Sequence, residues 1–378
     1  MAFGKKNVIK LNPLEYNIGI IGESGIGKST LIKEVCEKLV GEDGYLFAEC
    51  GLESGADAIS GINYVNCPDM HSDYDEFNNS VGFQNLIDDI IENKETDYPN
   101  LKTLVIDTFD QLKDIMDKEV VRLYNKKNPE KKAESIKSSW GGYMAGEDMS
   151  DDKILDILWS LKNVGVNFII IGHLKMKEVT DPISNETYTY VTTDMSARSF
   201  NKIKNKLHFL GVAYIDRELA KEKIKGKEKN VVKGGNRRLT FRDDNYALDS
   251  KSRFADITSE PINLDADEFI TALTDAIKAE AEKSGQSMKE LEKVQKQRDK
   301  EQEKRTTENS AKARAKKIED ELEDQRANVL SAITNLFKIA DTEKKEAAKN
   351  ALNEAGYKKF SEPEVPVTLL KQVVDLLK

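Results

Sequence analysis

Gly22, Gly27, Lys28 and Ser29 hold the fixed places of the pattern G-x-x-x-x-G-K-[ST] in the stretch GESGIGKST, Gly22–Thr30. That spacing suits one chemistry, the cradling of a phosphate chain. Glycines let the backbone N–H groups of Gly22, Glu23, Ser24, Gly25, Ile26 and Gly27 curl around one concavity. The helix that starts at the end of the stretch, through Ser29 and Thr30, turns its positive end to the same point. Lys28 is placed to reach the β- and γ-phosphates, and the Ser29 hydroxyl to ligate magnesium. The expected ligands are ATP and Mg2+. A second carboxylate signal lies downstream in LKTLVIDTFDQL, where the apolar run Leu104–Ile106 closes on Asp107. A carboxylate at a strand end holds magnesium through water beside a phosphate loop. The alternative is that Asp107 only caps the next helix.

The elements around these residues are those the chemistry needs. Tyr16–Gly22 is a short apolar run that predicts a buried strand, and STLIKEVCEKLV places Leu31, Val35, Leu39 and Val40 on one helical face. GYLFAECG predicts a strand ending in Glu49, and NFIIIGHLKMK a very apolar one ending near His173. A helix is expected at Phe83–Ile91, another at Asp151–Leu161 and a hairpin at Glu178–Val191. Strands alternating with helices imply an α/β domain with a mostly parallel sheet, extended by an antiparallel part. Residues 1–261 are assigned to this core. A charged helical linker, 262–326, and a small helical module, 327–378, follow. The segment RELAKEKIKGKEKNVVKGGNRR is expected to be a basic, glycine-bearing loop.

Composition excludes several classes. The 378 residues are 33% charged and 39% hydrophobic, and no apolar run approaches a membrane span. The N-terminus has no apolar run to serve as a signal peptide. Three scattered cysteines argue against a disulfide framework and fit a reducing cytoplasm, and three histidines form no zinc-site spacing. The net charge is −9, yet between Arg198 and Arg242 the sign reverses locally, with Lys223, Lys225, Lys227 and Lys229 at its densest point. Such a stretch suits a phosphate backbone; the alternative is a solvated loop.

The order of phosphate loop, Glu49, Asp107, FIIIGHLKMK, hairpin and basic helix resembles the RecA-like ATPases. More closely, it looks like the phage nucleotide-binding proteins of RecA-like core that act as single-strand annealing proteins. The resemblance covers roughly Pro13 to Pro261. It implies that Glu49 activates the attacking water, with Glu53 as the nearby alternative, so that Glu49, Lys28 and Asp107 form the catalytic set. His173 falls where the family places a sensor of the γ-phosphate, commonly glutamine. The loop around Trp140 and the hairpin fall where such recombinases face DNA, with Tyr143, Tyr188 and Tyr190 as further stacking candidates. The resemblance also implies a ring or filament of identical subunits whose sites are completed by a cation from a neighbour. The expected activity is ATP-dependent binding and annealing of single-stranded DNA in a host-cell cytoplasm. The C-terminal module would recruit a single-strand-binding or other replication protein. The alternatives are a helicase-like motor or loader, and a nucleotide-gated interaction module without DNA binding.

Overall fold

Strand β1 (Ile18–Gly22) is buried along its whole length, because parallel neighbours flank it and helices cover both faces. In the computed structural model the described residues are 7–378 without 53, 225–226, 244–247, 284 and 286. The side chains of 219–224, 227–233 and 288 also lie outside the description.

From β1 the chain passes through the glycine loop into α1 (Lys28–Val40), then β2 (Tyr45–Cys50), β3 (Tyr64–Cys67) and α2 (Phe83–Glu92). Next come β4 (Thr103–Asp107), α3 (Phe109–Lys127), α4 (Ala145–Asn163), β5 (Asn167–Thr180), β6 (Thr187–Thr193) and α5 (Ala197–Lys204). The remaining strands are β7 (Phe209–Ile224), β8 (Lys227–Thr240), β9 (Lys251–Ser252) and β10 (Ile262–Asn263). Among the described residues ten strands form one sheet in the order β10-β8-β7-β1-β5-β4-β2-β3, with β6 paired to β5 and β9 to β7. The run from β7 to β3 is parallel, and β8, β9, β10 and β6 are added antiparallel. The α/β class with a mostly parallel sheet is thus the observed one.

Alternate strand residues feed two cores. Ile21, Leu104, Ile106, Phe168 and Ile170 pack with Phe83, Leu112, Met116 and Leu158 from α2, α3 and α4. Ile18, Ile20, Phe47, Val105, Ile169 and Ile171 pack on the opposite face with Leu31, Ile32 and Val35 of α1. A two-residue period with both faces covered leaves continuous apolar runs, which is why these strands were legible.

Three expectations change. The basic segment expected as a loop forms β7 and β8, a long antiparallel pair registered from Val212↔Thr240 to Ile224↔Lys227. Beyond Ala213, β7 pairs only with β8 among the described residues, and its sequence carries no apolar alternation to mark a strand. Helix α4 begins at Ala145, ahead of the expected start at Asp151. The expected linker start at 262 is also displaced. Helix α6 (Ala266–Lys283) buries Phe269, Leu273, Ala276 and Ile277 in the same core as α1. Burying each large apolar side chain contributes about 1.5–3 kcal/mol, which anchors α6 in the domain.

The chain divides into two compact units, Met1–Asn309 and Ser310–Lys378. Helix α7 (Met288–Ile339) starts in the first and ends in the second. In the second unit Ile333 packs with Ala348 and Leu352 of α8 (Thr342–Glu354) and with Leu370, Val373 and Leu377 of α9 (Val367–Leu377). The Asp341 side chain caps α8 by accepting from Lys344 N at 2.9 Å. The Arg326 guanidinium donates to the carbonyls of Glu362 and Val365.

Candidate functional site

The glycine loop leaves β1 at its C-terminal end and enters α1 at Lys28. Gly22 permits a close approach: a Cβ there would lie 2.9 Å from the Ala213 carbonyl and 3.1 Å from the Lys28 side chain. Gly27 has φ +107°, a conformation that side chains resist. Ile26 is buried and anchors the loop, while Ser24, Gly25 and Thr30 face solvent. Lys28 is 6% exposed, and its ammonium donates to the carbonyls of Gly22 and Glu23, each at 3.1 Å. Glu23 is docked on the neighbouring strand, accepting from Ile215 N at 3.3 Å and from the Arg217 guanidinium at 2.5 Å.

The carboxylates arrive through strand register. Asp107 ends β4, two places from β1 in the sheet, yet Ser29 Oγ donates to its Oδ2 at 2.5 Å. Glu49 is the parallel-ladder partner of Asp107 on β2. Glu49 is 3% exposed; its Oε1 accepts from Ala56 N at 2.9 Å, and its Oε2 is buried with no hydrogen-bond partner among the described residues. Burial first, and the nearby Asp107 charge after it, raise the Glu49 carboxyl above its usual range. Glu53 lies outside the described residues.

His173 is registered with Gly22 across β1 and β5. Asp110, in the first turn of α3, accepts from His173 N at 3.1 Å and meets its Nδ1 at 2.8 Å. Burial would push the Asp110 carboxyl up, but the hydrogen bonds and charge of His173 outweigh it and hold Asp110 below its usual range. Asp110 escaped the sequence reading. Its signal was a second acid three residues after Asp107, at the start of a helix.

The DNA-facing candidates are placed differently. Trp140 Nε1 donates to the Val120 carbonyl at 3.1 Å, its ring meets Tyr124 edge-on, and the Lys127 ammonium lies 5.6 Å above it. The indole holds its loop against α3. The exposed aromatic of that loop is Tyr143, and Tyr188 is partly exposed on the β5–β6 hairpin. Lys225 lies outside the described residues, as do the side chains of Lys223, Lys227 and Lys229.

Residues 14–254 match the family model described as an AAA domain, well over half of the 378 residues. The chain belongs to the AAA-domain family. Its AAA domain is therefore a P-loop nucleotide-binding unit whose phosphate loop is Gly22–Thr30. The KaiC-like protein PH0186 from the hyperthermophilic archaeon Pyrococcus horikoshii OT3 is similar at 13% identity, over 65% of this chain and 83% of that one, with a TM-score of 0.31. The search of curated proteins returned no match.

The residues of this AAA domain fit a nucleotide with magnesium. Among the described residues no group of three or more His, Cys, Asp or Glu could hold a metal alone. Magnesium does not need one, since it takes one or two protein ligands and completes its shell with phosphates and water. Ser29 and Asp107, joined by a hydrogen bond, would supply that pair, and Glu49, the ladder partner of Asp107, has an Oε2 without a hydrogen-bond partner among the described residues. No helix among the described residues is long and apolar enough to cross a membrane. Cys36, Cys50 and Cys67 are free and buried.

Proposed function

We propose that this AAA domain hydrolyses ATP and that the cycle controls binding and annealing of single-stranded DNA by a RecA-like core, in a phage-type recombination protein that assembles as a ring or filament. In the hydrolytic step Lys28 and the loop N–H groups bind the phosphates, and Ser29 with Asp107 holds the metal. Magnesium held there would supply the neutralisation of phosphate charge that the step needs. Glu49 is fixed by Ala56 N through one oxygen, and the other, without a partner among the described residues, would accept a proton from the attacking water. Its raised proton affinity suits a general base. Asp110 orients the His173 ring at the strand end beside the loop, where the ring can respond to the γ-phosphate.

The observation that carries the DNA part is the continuity of β7. At Ile215 and Arg217 the strand grips Glu23 of the phosphate loop, and a few residues later it enters the lysine-rich pairing with β8. A nucleotide that moves the loop thus acts directly on the root of the basic hairpin. A phosphate backbone is the natural partner of such a strand pair. The self-contained core of the second unit favours a partner-recruiting role for the C-terminal module, with a single-strand-binding or other replication protein as the partner class.

The test is ATP hydrolysis with and without single-stranded DNA, paired with annealing of complementary strands. Stimulation together with annealing is expected. Directional unwinding would assign a motor instead, and no response to DNA would assign a nucleotide-gated interaction module.

A further inference from the structure

Arg237 stands over the phosphate loop on the side away from the carboxylates. A Cβ placed on Gly27 would lie 3.4 Å from Arg237 Nη1 and 3.7 Å from Leu264 Cδ2. Arg237 is the ladder partner of Ile215, the residue whose N–H holds Glu23. Its backbone is fixed on the other side, where Leu264 N donates to its carbonyl at 3.1 Å. The next residue, Arg238, points the other way along the strand and donates to Asn263 Oδ1 at 2.7 Å. Arg217 is occupied by Glu23. Arg237 is exposed, and its guanidinium has no hydrogen-bond or ion-pair partner among the described residues. A cation thus lies close to Gly27, held by backbone on both edges, with no protein anion engaging it among the described residues.

Its position in the sheet decides which part of a nucleotide it meets. Asp107 and Glu49 approach the loop from β4 and β2, on one side of β1, whereas β8 approaches from the other. The carboxylate side is where hydrolysis and the γ-phosphate belong. Arg237 instead overlies Gly27, where the loop turns into α1 and the remaining phosphates lie against helix N–H groups. A guanidinium fork matches two phosphate oxygens there. We infer that Arg237 pairs, within its own chain, with the α- or β-phosphate of the bound nucleotide. The inference rests on the reading of Gly22–Thr30 as a nucleotide site and adds a residue that fixes affinity, one the G-x-x-x-x-G-K-[ST] pattern does not contain.

The experiment is titration of the full-length protein with fluorescent ATP and ADP, comparing Arg237→Ala and Arg237→Lys with Arg238→Ala and Lys28→Ala. A charge-assisted hydrogen bond of ordinary strength predicts that Arg237→Ala weakens both nucleotides by about ten- to a hundredfold. Arg237→Lys should recover part of this loss, and Arg238→Ala should bind as wild type. In turnover assays Arg237→Ala should raise KM and leave kcat within about twofold, the signature of uniform binding. Unchanged affinity in Arg237→Ala, with binding lost in Lys28→Ala, would overturn the Arg237 assignment alone. Unchanged affinity in Lys28→Ala would overturn the nucleotide site itself. Recovery of turnover at sub-saturating ATP on mixing Arg237→Ala with Lys28→Ala would place Arg237 on a neighbour's nucleotide and overturn the same-chain assignment.

Discussion

Replacing Glu49 by glutamine separates the roles of its two oxygens. The side-chain carbonyl of glutamine can still accept from Ala56 N, which Oε1 does at 2.9 Å, so the strand end keeps its geometry. What is lost is the basic atom at Oε2, buried and without a partner among the described residues. General-base assistance is worth about 10²–10⁴ in rate, or roughly 2.7–5.5 kcal/mol of barrier. Phosphate release at saturating ATP should fall by that factor, while fluorescent ATP binds within about twofold of wild type, because Lys28 and the loop are untouched. Stability supplies an independent readout. The Glu49 carboxyl is raised in the folded protein above its ordinary 4.5. The folded chain therefore binds this proton more tightly than the unfolded chain, and wild-type stability is lost as pH rises from 4.5 through the folded value. Glu49→Gln lacks that loss, so at pH 7 it should melt no lower than wild type, and its advantage should vanish below pH 4.5. Normal turnover by Glu49→Gln would refute the assignment. Slow turnover by Glu53→Gln with a normal Glu49→Gln would move the base to Glu53.

Three further outcomes are expected. Changing Lys223, Lys225, Lys227 and Lys229 together to glutamine should weaken single-stranded DNA binding without removing basal hydrolysis; if all four touch phosphates, the slope of log affinity against log salt flattens by roughly 3 units, at about 0.7 per contact. An unchanged slope would send the DNA path to the Tyr143 loop and the β5–β6 hairpin. His208 accepts from Asn17 N at 3.0 Å, and burial, then Arg253 and Lys162, depress it from 6.5 to about 4. The unfolded chain takes up that proton first, so melting temperature should fall as pH drops from 6.5 to about 4, and His208→Asn should flatten this limb; an equal slope in the variant would exclude His208 as its cause. A chain ending at Asn309 should keep its ATP affinity, since that boundary retains α6 and its packing on the α1 face; loss of binding or insoluble protein would show that the second unit completes the first.

The phosphate loop was legible because its chemistry is local. Gly22, Gly27, Lys28 and Ser29 act within one turn of chain, so spacing alone specifies them. The central strands were legible because burial on both faces leaves apolar runs such as Leu104–Ile106 and Phe168–Ile171. Glu49 and Asp107 could each be placed at a strand end, but only the β2–β4 ladder makes them partners, and only the order of the sheet brings Asp107 to Ser29 across 78 residues. Elements without a self-evident pattern stayed hidden. The β7–β8 pair runs beyond the sheet and carries charges with no apolar alternation to betray it. Helix α6 has an amphipathic stripe, but its membership of the core depends on the α1 face it covers. Side-chain roles set by distant partners were equally out of reach. Trp140 is claimed by a carbonyl of α3, His173 by Asp110, and Arg237 is brought to Gly27 by strands more than 200 residues downstream of the loop. A sequence states what each residue can do. Which neighbour it meets is settled by strand register and packing, which depend on contacts between distant segments.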